Sequence, residues 1–177
     1  MCRTYNGFDI NGLGYKKDGR GNICPVTIIL PELAMIAVKE TNSDCGLGDE
    51  ATIRRFFEIL EQKIDEGIEM LEFRYRHICS QSADSAKEMW KNNTMAGYIP
   101  EEGIESAIKS GTLALGFLDI ATTLRILIGV DHTDEKGMEL AKRILKLYSE
   151  KCAARKEEVK LNHSVYATPK HRWGLVR

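Results

Sequence analysis

A chain of 177 residues, 43% hydrophobic and 29% charged, can bury one core and has little room for a second domain. A formal net charge of -1 with no basic patch excludes nucleic-acid and membrane-surface binders, and no apolar run approaches a membrane span or a signal peptide. Five cysteines, odd in number and widely spaced, give no disulfide framework and fit a reducing cytoplasm.

In chain order, residues 3–17 show no helical periodicity and carry Gly7, Gly12 and Gly14, so on the residues alone they read as a surface hairpin or a ribbon folded back on itself. Gly12, Gly14, Gly19 and Gly21 match neither a dinucleotide fingerprint nor a P-loop, and no lysine-serine pair follows. A Gly-Arg-Gly-Asn turn at 19–22 leads into the apolar run 26–30, which predicts a strand within 24–30 buried on both faces. Pro31 ends that strand and opens a short helix to about Lys39.

Residues 41–48 (TNSDCGLG) are loop, and Asp49 is placed to cap a long helix. Ile53, Phe57, Leu60, Ile64, Ile68, Leu71, Tyr75 and Ile78 form one apolar stripe on that helix, about 45 Å long at the standard rise. Scaffold explains such a helix without any functional role. A helix over 83–91 is expected next, then another that starts at Pro100 with Glu101 and Glu102 and stops near Gly111. Residues 112–117 read as a second buried strand and 118–128 as the helix after it. Asp134 opens the last helix, with Met138, Ala141, Ile144, Leu145, Tyr148 and Cys152 on its inner face, and 164–167 is a third strand. The alternation makes the chain α/β with mostly parallel neighbours.

Chemistry is sparse on the residues alone. No cysteine pair has metal-ligand spacing, and the four histidines are scattered. The acidic residues lie mostly on helical faces, where solvation or pairing along the helix explains them. Cys2 or Cys24 with His163 could compose a thiol hydrolase, but nothing fixes that geometry. Cys24, Cys45, Cys79 and Cys152 read as packing residues or bystander thiols.

Three ordered stretches give more. Cys2-Arg3-Thr4, a loop returning at Gly19-Arg20-Gly21-Asn22, and a strand closing on Leu30-Pro31 come first. GTLALGFLDIATTLRILIG at 111–129 and HSVYATP at 163–169 follow. Together they resemble the anaerobic (class III) ribonucleoside-triphosphate reductases, members of the glycyl radical enzymes, over nearly the whole chain.

The resemblance implies a partial segment of a ten-stranded α/β barrel covering residues 1–169, with a finger loop at 2–22, followed by a non-family tail at 170–177. It implies that Cys2 is the loop-tip thiol that becomes a thiyl radical and removes the ribose 3′ hydrogen. Sulfur suits the task because an S–H bond exchanges a hydrogen atom reversibly with carbon, and a closed barrel keeps water and oxygen away. Asn22 falls at the loop's return, where its amide can orient ribose hydroxyls or formate, the implied reductant. Thr168 and Pro169 fall in the segment whose following helix holds substrate phosphates.

The resemblance further implies a glycyl radical installed by a radical-SAM activase carrying a 4Fe-4S cluster, a C-terminal zinc site, and a homodimeric intact enzyme. Those elements belong to segments outside this sequence, as do the regulatory nucleotide-binding region and the strand with a second active-site cysteine. Membrane and nucleic acid are not expected partners. The pattern also breaks in places. Asp119 stands where the family has a glycine, Thr122 where it has a glutamate, and Lys170-His171-Arg172-Trp173-Gly174 replaces the usual continuation. One coding string for those five residues, read one base along, gives Ser-Ile-Ala-Gly, which points to a frameshift. The competing expectation is an inactive truncated remnant or a non-catalytic helical interaction module, and the neighbouring coding sequence discriminates between them.

Overall fold

The computed structural model describes residues 6–90, 92 and 94–168. Strand β1 (Val26–Ile29) passes directly into helix α1 (Leu30–Thr41). Pro31 lies in the first turn, where its missing amide has no helical acceptor to lose. Asn42 ends the helix in the left-handed conformation and returns its amide to the Lys39 carbonyl.

Asp49 then caps α2 (Glu50–Cys79), accepting from the amides of Ala51 at 3.4 Å and Thr52 at 3.1 Å. The buried stripe runs through Phe56, Leu60, Ile64, Ile68, Leu71 and Tyr75. Phe56, not Phe57, takes the inward place near the helix start. The Phe57 ring lies half-buried, 4.8 Å beneath the Arg143 guanidinium.

Two expected helices are shorter than their sequence signals. Residues 83–91 divide into a 3-10 turn (Ala83–Ala86) and a single α-turn, α3 (Lys87–Trp90). The helix expected from Pro100 is confined to α4 (Glu105–Ile108). Gly103 adopts φ +72° and bridges back to Ile99, whose amide donates to Ser106 Oγ at 2.8 Å. That closed turn takes the place of a first helical turn at Glu101 and Glu102.

Strand β2 (Thr112–Leu118), helices α5 (Ile120–Ile128) and α6 (Glu135–Val159), and strand β3 (Asn162–Ala167) complete the order. The strands form a parallel sheet in the order β1-β2-β3. The central β2 is buried through its first five residues. β1 is not buried on both faces as its apolar run predicts: it is an edge, and Ile29 is 51% exposed. On α6 the inner face is Leu140, Ala141, Ile144, Tyr148 and Cys152, while Met138 and Leu145 turn outward on its flank. Asp119 precedes α5 at φ 61°, a left-handed conformation, and its carboxylate accepts from the Thr122 amide. A glycine at this place would suit the same backbone. Among the described residues no helix is long and apolar enough to cross a membrane.

Two compact units share these elements. Of the described residues, the first comprises 6–26, 66–115 and 149–165; the second comprises 27–65, 116–148 and 166–168. Within the first, α2 approaches β2 closely at Gly67, where a Cβ would stand 2.7 Å from Leu115 Cδ1. Within the second, the Phe117 and Tyr148 rings pack 5.8 Å apart between β2 and α6.

Candidate functional site

In the first unit the loop before β1 is bound to the protein, not free on its surface. Its ribbon closes at an antiparallel bridge between Asp9 and Gly14, with Asp9 N donating to Gly14 O at 2.8 Å. The Asp9 side chain then turns inward, leaving the residue 1% exposed. It accepts from the amides of Asn11 at 3.1 Å and Leu13 at 2.9 Å and from Asn162 Nδ2 at 2.6 Å. Asn162 Oδ1 in turn accepts from the Ile10 amide at 3.1 Å. Burial pushes the Asp9 carboxyl up, but the hydrogen bonds from Asn162, Leu13, Asn11 and Ser110 outweigh it and leave the group below its ordinary value. Arg20 stitches the returning arm, donating to the carbonyls of Ser110, Gly14 and Lys16.

That return positions Asn22. Thr112 N donates to Gly21 O and Ile23 N to Thr112 O, both at 2.8 Å, so Asn22 forms a parallel bridge with the first residue of β2. Asn22 Oδ1 is buried and has no hydrogen-bond partner among the described residues, and Thr112 Oγ1 shares that condition. A buried carbonyl left unpaired costs about 1–3 kcal/mol and is uncommon unless something else engages it. Cys2, expected at the tip of the same loop, lies outside the described residues.

The second unit holds the other expected contact. Thr168 continues β3 by donating its amide to Phe117 O at 3.0 Å. Its hydroxyl lies 3.0 Å from Thr27 Oγ1 on β1, and Thr27 Oγ1 lies 3.2 Å from the Tyr166 hydroxyl. Gly116 of β2 leaves room for all three: a Cβ there would come 2.5 Å from Thr168 Oγ1 and 2.8 Å from Thr27 Oγ1. The φ of Gly116 is not positive, so close approach and not backbone conformation requires the glycine. Pro169 and the tail from 170 lie outside the described residues.

Other titratable groups serve packing. Glu72 of α2, 3% exposed, pairs with Arg155 and stands 3.3 Å from His163 Nε2. The hydrogen bonds from Arg155 hold the Glu72 carboxyl below its ordinary value, and burial keeps His163 neutral by lowering its own. His163 Nε2 thus faces a buried acid, while neither ring nitrogen makes a hydrogen bond among the described residues. Burial pushes the Cys24 and Cys79 thiols up and takes Cys152 to about 12, the opposite of an activated nucleophile. Among the described residues no group of three or more His, Cys, Asp and Glu side chains could hold a metal ion.

Sequence reasoning named Asn22 and Thr168 and did not single out Asp9, Asn162, Thr27 or Tyr166. A polar residue inside an otherwise apolar strand run was the available signal for Thr27. None pointed to the Asp9–Asn162 pair, whose members are 153 positions apart. The family model described as anaerobic ribonucleoside-triphosphate reductase matches residues 1–172. No curated protein matches the chain.

Proposed function

The chain belongs to the anaerobic ribonucleoside-triphosphate reductase family, and from that premise we propose that it is a catalytic-barrel segment of an enzyme reducing ribonucleoside triphosphates to deoxyribonucleoside triphosphates in the cytoplasm. Cys2 is the hydrogen-atom acceptor for the ribose 3′ position, and formate is the reductant. The glycyl radical on another segment, installed by its radical-SAM activase, supplies the unpaired electron. Asn22 directs its amide at a ribose hydroxyl or at formate, and Thr168 with Pro169 meets the substrate phosphates. The observation that carries this reading is the Asn22 amide oxygen, held beside β2 by a pair of 2.8 Å backbone bonds yet buried without a partner among the described residues. A ribose hydroxyl donating to that oxygen would remove the cost.

Deoxynucleotide formation under strict anoxia, followed together with the glycyl signal by electron paramagnetic resonance, tests the assignment in a reductase containing this segment. Cys2→Ser should abolish turnover and leave the radical signal in place, and Asn22→Ala should impair turnover without unfolding. Full activity with Cys2→Ser would remove the assignment. The 177-residue chain alone, with activase and formate, should form no deoxynucleotide. Turnover by that chain would overturn the reading as a segment.

A further inference from the structure

We infer that Thr27 and Tyr166 are positioning residues that, with Thr168, form a hydroxyl triad over Gly116 presenting one O–H to a phosphate oxygen of a bound nucleoside triphosphate. This rests on the reading of Thr168 as a phosphate contact and names what orients it.

The geometry of three strands meets at one point. Thr27 Oγ1 is the middle member, 3.0 Å from Thr168 Oγ1 and 3.2 Å from the Tyr166 hydroxyl. A hydroxyl rotor left to itself has no fixed direction; one held by a neighbour does. Three hydroxyls bring three protons. The two internal contacts consume two of them, and no other side-chain partner among the described residues takes the third. Among the described side chains one O–H is thus left to point out of the triad, and an anionic oxygen is the acceptor that binds a hydroxyl donor most strongly.

Gly116 supplies independent support. Any side chain there would collide with Thr168 Oγ1, with Tyr166 Cε1 at 2.7 Å and with Thr27 Oγ1, so the triad exists only because this residue has none. A glycine inside a central strand weakens it. The same position filled by alanine would give a better strand and no triad. Thr27, Tyr166 and Thr168 are each partly accessible, and Gly116 beneath them is buried.

Binding of inorganic tripolyphosphate and of cytidine triphosphate to the whole chain, measured by calorimetry and by amide shifts at Thr27 and Thr168, is the test. Thr27→Val keeps shape and removes the central hydroxyl, and it should weaken both ligands about tenfold, the loss of one hydrogen bond to a charged group. Thr27→Ser restores the hydroxyl and should bind like the parent, a rescue that a purely structural role would not produce. Tyr166→Phe should weaken binding less, and Gly116→Ala should abolish it. If Thr27→Val fails to fold by circular dichroism, Tyr166→Phe and Thr27→Ser carry the comparison. Parent-like binding by Thr27→Val or Tyr166→Phe, while Thr168→Val loses it, would overturn the triad and leave the phosphate reading standing. No effect of Thr168→Val, or no binding by the parent, would overturn the phosphate reading and the triad with it.

Discussion

Glu72 grips Arg155 with both carboxylate oxygens, Oε1 to Nε at 2.6 Å and Oε2 to Nη2 at 2.8 Å, on a face where the acid is 3% exposed. Such a fork satisfies the geometry of both groups at once, and removing Arg155 strands the Glu72 carboxylate in a site poor in water, whereas Arg155 is partly exposed and also holds Glu158. His163 closes the third side.

Arg155→Met should therefore cost about 3 kcal/mol of stability, read from chemical denaturation, and Glu72→Gln less. The pH dependence has a definite sign. Folding depresses the Glu72 pKa below 4.5 and the His163 pKa below 6.5, so in each case the unfolded chain binds the proton more readily. The His163 contribution falls away as pH drops below 6.5 and the Glu72 contribution as it drops below 4.5, each continuing down to its folded value. Stability that stayed flat across that range would contradict the pairing.

Asn162→Ala removes a donor to Asp9 and the acceptor for Ile10 in one change. A loss of about 1–3 kcal/mol follows from leaving a buried carboxylate short of a partner. Hydrogen exchange should quicken at the Ile10 and Leu13 amides, with the α2 amides much less affected. Folding lowers the Asp9 pKa below 3.8, so the same loosening should appear in the parent as pH falls from 3.8 through the folded value.

Asp119 supplies two opposed effects, a left-handed backbone that disfavours side chains and a cap on the Thr122 amide. Asp119→Gly relieves the first and forfeits the second, so its melting temperature should stay close to the parent's. Asp119→Ala keeps the strain and loses the cap, and should cost about 1–2 kcal/mol. A stability ranking with alanine above glycine would show that the backbone is not left-handed in solution.

β1 and β3 flank β2, and each leaves an outer edge with no strand partner among the described residues. Open edges recruit other chains. Expressed by itself, the protein should unfold over a broad temperature range and associate as concentration rises, as light scattering during a thermal scan would show. A sharp transition from a stable monomer would favour an independent module.

Local patterns carried much of this. The thirty residues of α2, the cap at Asp49 and the three strands follow from periodicity and turn chemistry that neighbours in sequence supply. Failures have the opposite character. Pro100 with its acids is a sound helix start, and the Ile99–Gly103 turn displaced it through a φ that only glycine adopts readily. Glu72 looked like one more helical acid, although it sits on the apolar stripe beside Leu71 and Tyr75, where an acid must find a cation. Phe56 and Phe57 are adjacent aromatic residues, and only packing decides which faces inward. At the candidate site, Asn22 and Thr168 lie in contiguous motifs, whereas Thr27 and Tyr166 meet only after distant strands pair.

The Asp9–Asn162 bond joins the first described turn of the chain to the first residue of its last strand. During synthesis the ribosome delivers Asp9 early and Asn162 late, separated by roughly ten to thirty seconds at ordinary elongation rates. Until then the amides of Ile10, Asn11 and Leu13 have lost either their acceptor or the residue that fixes it. The loop is thus secured only once β3 begins to emerge, and a contact of such long sequence separation is slow to form on refolding. The arm is therefore locked only after the strand that receives it has begun to emerge.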